Sequence, residues 1–192
     1  QWLGGVCLNV GCIPSKALLK NADLAYTLRN RAKEFGISFD NLELDYGKAV
    51  KRSRGVSQRL TKGVGFLMKK NKIDVFMGKA TLKAKNQIAV KIEDGDEEML
   101  EAGNIIIATG AYYFTPPAWE LDGEKVLSYT EAILQEKLPE SAVIIGAGAI
   151  GAEFSTIWNS YGTQVHLVEM LPNILPLEDP EVSKELEKSF KK

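Results

Sequence analysis

The chain is poor in the residues that build metal centres and covalent staples: of its 192 residues, two are cysteine and one is histidine. A tetrahedral zinc site takes four ligands, so Cys7, Cys12 and the distant His166 do not make one, and no metal site is expected. Two cysteines are also too few for the disulfide framework of a small secreted domain; so close together, they suit a dithiol in a reducing compartment. No apolar run approaches the roughly 18 residues of a membrane span, since the best candidate, Ala142 to Phe154, is broken by glycines and Glu153. No secretion signal is visible. A net charge of −1 and a pI near 6.0 remove any electrostatic case for nucleic acid or an anionic membrane as partner. The basic cluster Lys69, Lys70 and Lys72 lacks the interleaved aromatics of a nucleic-acid surface and suits a helix C-terminus instead. What remains is ordinary globular composition, 45% hydrophobic and 26% charged. The chain opens on Gln1 rather than Met and closes at Lys191-Lys192 within a rising helical pattern, so it is expected to be a piece of a longer one.

The two cysteines lie in Gly5-Val6-Cys7-Leu8-Asn9-Val10-Gly11-Cys12-Ile13-Pro14-Ser15-Lys16. Pro14 suits the first turn of a helix, where its missing N–H costs nothing. Apolar residues then recur at Leu18, Ala22, Ala25, Ala32 and Phe35, predicting a helix over 13–35 ended by Gly36. Cys12 therefore stands at or just before a helix N-terminus, where the dipole favours a thiolate, and Lys16 one turn later adds positive charge on the same side. Two unrelated thiols or a structural disulfide are the plainer readings. As a staple, so short a loop contributes only about 2 kcal/mol in the chain-entropy model. The spacing and the helix terminus favour a redox pair.

Asp45 is a plausible N-cap for a second long helix to about Lys70, with a stripe at Ala49, Ser53, Val56, Leu60, Val64 and Leu67. Gly55, Gly63 and Gly65 weaken it and are expected to allow close packing on the first helix. Short β-type runs at 74–77, 80–82, 87–92 and 99–100, separated by Lys85-Asn86 and Asp94-Gly95-Asp96, read as an antiparallel meander. The continuous apolar run Asn104 to Gly110 reads as a strand of the fully buried kind. Residues 112–127 form a connection, and Ser128-Tyr129-Thr130-Glu131 makes a capping box for a short helix halted by Pro139. Read alone, His166, which alternates with Val165 and Leu167, is structural.

A second site begins at Ser141. Strand Ala142 to Ile145, turn Gly146-Ala147-Gly148-Ala149-Ile150-Gly151, a helix to about Tyr161 and strand Gln164 to Glu169 form a βαβ unit, so the fold class is α/β. In this context G-x-G-x-x-G is a dinucleotide-binding turn: Gly146 allows the tight bend, Gly148 lets a pyrophosphate approach, Gly151 allows close packing, and the helix N-terminus attracts phosphate. Glu169, at roughly the 20-residue distance expected, would accept from the adenosine ribose. A carboxylate there repels a 2′-phosphate and no Arg stands beside it, so NAD is favoured over NADP. Glu153, on the same helix, reads alone as a solvated carboxylate.

The wording of the first stretch goes beyond its spacing. "GGVCLNVGCIPSKALL" resembles the active-site segment of the flavin-dependent pyridine nucleotide–disulfide oxidoreductases, nearest to the members that oxidise dihydrolipoamide. Glutathione and thioredoxin reductases usually have Lys where this chain has Ser15, whereas mercuric reductase shares the Ser-Lys pair. The resemblance implies a partial FAD-binding domain over 1–115 (two long helices, the meander and the buried strand), a connection over 116–140, and the first βαβ unit of a Rossmann-type NAD-binding domain over 141–192. It implies FAD and NAD as cofactors and a Cys7–Cys12 redox disulfide in which Cys7 exchanges with substrate and Cys12 faces the flavin. It pairs Lys16 with Glu153 beside the flavin and places Gly5, Val6, Ala80, Thr109 and Gly110 against FAD. NAD would lie on Gly146, Gly148, Ala149, Ile150, Gly151 and Glu169. Family members often have Ser where this chain has Ala111. The implied partners are dihydrolipoamide on a lipoyl carrier domain, a 2-oxo acid dehydrogenase complex and a second copy of the chain, in bacterial cytoplasm or mitochondrial matrix. The first FAD-binding unit, the rest of the NAD domain and the C-terminal interface domain with its His–Glu base are expected outside this stretch.

Overall fold

A computed structural model describes residues 2–92 and 95–191. The first element is a helix the periodicity did not announce: α1 (Gly5–Asn9) carries Cys7, and α2 (Cys12–Asn30) starts at Cys12 itself. The expected helix over 13–35 is shorter than anticipated, because the chain bends at Arg31 into a 3-10 turn (Ala32–Phe35) before Gly36 ends it at φ 68°. Next comes α3 (Tyr46–Lys70), with the Asp45 side chain accepting from the Lys48 amide as the expected cap.

Its buried face is Tyr46, Ala49, Val50, Ser53 and Ser57, so only the first half of the expected stripe is covered and Leu60 and Leu67 face solvent. A Cβ at Gly55 or Gly63 would meet nothing within 4 Å, and at Gly65 only Leu3, so these glycines do not serve close packing on α2.

The meander is β1 (Gly78–Ala84), β2 (Gln87–Ile92) and β3 (Glu97–Glu101), antiparallel in the order β1-β2-β3. Residues 74–77, expected as a strand, are irregular. Asp94 of the expected second turn lies outside the described residues. The expected buried strand over 104–110 is also not formed. That segment is irregular, with Ile106 90% and Ile107 70% exposed. An all-apolar run becomes a buried strand only when neighbouring strands satisfy its backbone and layers cover both faces, and nothing among the described residues does either.

Ser128 and Glu131 close the capping box of α4 (Tyr129–Ala132) as expected. β4 (Ser141–Ile145), α5 (Ala149–Tyr161) and β5 (Gln164–Val168) form the βαβ unit, with β4 and β5 parallel and Ser141 opposite Gln164. Their burial alternates, so β4 covers only one face, with Ala142 and Ile144 inward and Val143 and Ile145 outward. A last helix, α6 (Pro180–Phe190), is capped by Asp179 with proline in its first turn.

One core joins these pieces. Leu18 and Ala22 of α2, Tyr46, Ala49 and Val50 of α3, Ile133 after α4, and Phe154, Ile157 and Trp158 of α5 are buried together. Tyr46 meets Tyr161 edge to face at 5.1 Å, and Phe154 meets Trp158 likewise at 5.7 Å. Burial pushes the Tyr46 hydroxyl up to about 12. The consequence for function is that α2, which begins at Cys12, is packed directly on α5, which begins at the glycine turn.

Candidate active site

Cys7 and Cys12 are bonded as a disulfide with their Cα atoms 4.5 Å apart. Both residues are exposed, as are Gly5 and Val6 beside them. The bond therefore lies on the surface at the α2 N-terminus, not in the core where a staple would be shielded. A sulfur anion formed at Cys12 would face the unpaired N–H groups of the first helical turn.

Lys16, on the next turn, donates its Nζ to Glu153 Oε1 of α5. The two residues are 137 positions apart in sequence, so the contact is purely tertiary. The side chains are 60% and 26% exposed respectively, so the pair adds little to stability and more to placement. Near the far ends of the same helices, the Arg29 guanidinium donates to the Ser160 carbonyl at 3.2 Å. The order of the two contacts makes α2 and α5 run the same way. Both helix N-termini, one bearing the disulfide and the other the glycine turn, therefore lie at one end of the pair, where two dipoles present their positive ends.

The glycine turn has the geometry its sequence predicts. Gly146 takes φ 102°, closed to ordinary side chains, and its amide donates to the Val168 carbonyl at 2.8 Å. A Cβ on Gly151 would lie 1.9 Å from the Gly146 carbonyl oxygen, so the turn closes only with glycine there. At Gly148 a Cβ would meet nothing within 4 Å, leaving the open approach a pyrophosphate needs. Ala149 and Ile150, the first two residues of α5, are exposed. Glu169 Oε1 accepts from the Leu171 amide at 2.9 Å and Oε2 from the Ala147 amide at 2.8 Å. These bonds, that from Leu171 first, hold its carboxyl below the usual range, and they brace the glycine turn from behind.

The residues present fit a nicotinamide dinucleotide on this turn: Gly148 is open and Ala149 and Ile150 at the α5 N-terminus are exposed. The structure does not bring every expected residue together. Ala80 lies on exposed β1 opposite Val90, and Thr109 and Gly110 lie on the exposed 104–110 segment without a hydrogen bond among the described residues. His166 is exposed on β5.

Three residues at the site carried no sequence signal. Arg54 of α3 donates to the main-chain carbonyl of Asn9, and the Thr61 hydroxyl donates to Asn9 Oδ1 at 3.0 Å. Asn9 sits inside the Cys7–Cys12 loop, but nothing in its spacing announces partners on another helix.

Comparison with known proteins agrees with this architecture. The model of the pyridine nucleotide–disulphide oxidoreductases matches residues 2–192. This chain belongs to that family, whose members use FAD and a nicotinamide dinucleotide. It is 50% identical over 192 residues to the dihydrolipoyl dehydrogenase of Mycobacterium tuberculosis, covering 100% of this chain and 41% of that protein. It is 46% identical over 190 residues to the dihydrolipoyl dehydrogenase of Chlorobaculum parvum, covering 99% of this chain and 40% of that protein. Among solved structures, LpdA from Mycobacterium tuberculosis superposes with a TM-score of 0.90 at 25% identity, over 100% of this chain and 42% of that one. The flavoprotein disulfide reductase RclA from Escherichia coli gives 0.81 at 25% identity, over 99% of this chain and 39% of that one. The chain thus spans about 40% of the length of the curated relatives it matches.

Proposed function

We propose that the chain is the disulfide- and dinucleotide-bearing part of an enzyme that oxidises dihydrolipoamide to lipoamide with NAD as acceptor. The observation that carries this reading is the Lys16–Glu153 pair, which sets an exposed disulfide and a dinucleotide turn at the same end of two packed helices. In this reading 1–115 is part of an FAD-binding domain, 116–140 a connection and 141–192 the start of an NAD-binding domain. FAD, when bound, would supply the chemistry that links the dithiol to the nicotinamide, and this chain would hold it beside the Lys16–Glu153 pair.

Each residue then has a task. Cys7 is the sulfur that exchanges with the substrate dithiol, breaking the Cys7–Cys12 bond and releasing Cys12 as thiolate. The α2 dipole and the Lys16 charge favour that thiolate, and the rate of exchange follows the thiolate's availability. Glu153 fixes the lysine head so that its charge stays at the α2 end. Gly5 and Val6, exposed beside the sulfurs, would hold the flavin, and Ala80, Thr109 and Gly110 would join them only if their segments close on it. Gly146, Gly148, Ala149, Ile150 and Gly151 receive the NAD pyrophosphate, and Glu169 orients the adenosine ribose.

The relatives' names support lipoyl chemistry over glutathione or mercuric ion. The proposed partners are a lipoyl carrier domain of a 2-oxo acid dehydrogenase complex and a second copy of the protein, in bacterial cytoplasm or mitochondrial matrix. Among the described residues no helix is long and apolar enough to cross a membrane. The test is NADH formation by the intact, FAD-loaded protein. Dihydrolipoamide should support turnover at a rate that reduced glutathione does not approach. No NADH from dihydrolipoamide would overturn the reading.

A further inference from the structure

Within the disulfide loop, Val10 is buried in the core, and the hydrogen bonds to α3 are all made by one residue, Asn9. Asn9 ends α1 and is only 5% exposed, although Cys7 and Cys12 on either side are open to solvent. Its amide nitrogen donates to the carbonyls of Leu3 at 3.0 Å and Gly5 at 2.8 Å, tying the end of α1 back to its beginning. Its amide oxygen accepts from Thr61, and its main-chain carbonyl accepts from Arg54. Arg54 and Thr61 are two helical turns apart, so a single face of α3 reaches both the side chain and the backbone of this one residue.

Arg54 is partly desolvated, which lowers its pKa, and among the described residues no carboxylate forms a salt bridge with it. A partly desolvated guanidinium directed at a peptide carbonyl, with no carboxylate in reach among the described residues, fixes backbone position and does not serve a surface ion pair.

We infer that Thr61, Asn9 and Arg54 form a clamp that positions Cys7 opposite Cys12 while the disulfide is open. The inference rests on the redox reading above. When the sulfur bond is cut, the covalent link from α1 to α2 is Val10, which is buried in the core, and Gly11. A five-residue helix has too few hydrogen bonds to persist alone. The contacts from α3 and the ties to Leu3 and Gly5 do not depend on the sulfur bond. They keep Cys7 where reclosure is an intramolecular step at high effective concentration. The three residues are positioning residues and do not touch the reacting sulfurs.

The test is the dithiol–disulfide equilibrium of the intact, FAD-loaded protein in dithiothreitol buffers, with thiols counted by alkylation and mass spectrometry. In that exchange dithiothreitol closes to its ring disulfide and its two hydrogens pass to Cys7 and Cys12. Asn9→Ala should make the bond about tenfold easier to open, and the nearly isosteric Thr61→Val about threefold, roughly what one or two lost hydrogen bonds are worth. Because both act through one contact, Thr61→Val should add nothing in the Asn9→Ala background. The clamp is overturned if both variants keep wild-type circular dichroism and flavin content and also the wild-type equilibrium, or if the two effects add in full. A wild-type pair that no dithiothreitol ratio opens would instead overturn the redox reading itself.

Discussion

The disulfide loop and the glycine turn both sit at helix N-termini, where the dipole favours a negative charge, in the proposed function a thiolate on α2 and a pyrophosphate on α5. They are built in opposite ways. The glycine turn is local: Gly146, Gly151 and Glu169 shape it within one βαβ unit, using absent side chains and two backbone amides. The disulfide loop depends on residues far along the chain, with Arg54 and Thr61 holding Asn9 and Glu153 holding Lys16. A binding turn needs room, whereas a loop whose covalent bond, in the proposed function, is broken and remade needs an external frame. The two sites should therefore fail separately.

The largest separation is expected from Cys12→Ser in the intact protein. Dihydrolipoamide oxidation should fall on the order of a thousandfold or more, since one sulfur of the reacting pair is gone, while NAD binding by calorimetry stays as in the wild type. Gly151→Ala should do the reverse. A methyl group placed 1.9 Å from the Gly146 oxygen must reopen the turn, so NAD affinity should drop about a hundredfold while dithiothreitol still opens the disulfide normally. If either variant damages both sites equally, the two are not independently framed.

A smaller and subtler effect belongs to Glu169. Its folded carboxyl is held below the ordinary 4.5, so its support of the glycine turn is complete above that value and is lost as pH falls through the lowered one. NAD affinity measured from pH 7 downward should accordingly weaken with acid in the wild type. Glu169→Gln should start about tenfold weaker, with one carboxylate bond and the charge lost, and should not show that acid limb. An acid limb that persists in the variant would assign it to another group.

How much of this was legible in the sequence follows the same division. The glycine turn, its helix and both flanking strands could be placed from spacing alone, because every determinant lies within one short segment. The Asp45 cap and the Ser128–Glu131 box were legible for the same reason. The Lys16–Glu153 pair was not in the spacing at all and came only from resemblance, since nothing local reports a contact across 137 positions. Asn9, Arg54 and Thr61 went unseen because polar side chains that meet across helices leave no period. α1 is too short to show one, and Gly4 and Gly5 enter it at positive φ. The run from 104 to 110 misled for the opposite reason. Its composition records burial, but the described residues supply no strand to pair it, so Ile106 and Ile107 stand in solvent.

The claim on which the account rests is that the sulfur pair and the dinucleotide turn serve one electron path. Anaerobic addition of one equivalent of NADH to the intact, FAD-loaded protein tests it, with thiols counted by a chromogenic disulfide reagent. The account predicts two new thiols per chain, both lost in Cys12→Ser, as NADH and a proton yield NAD and an open Cys7–Cys12 pair. NADH that binds and is consumed without exposing any thiol would contradict it.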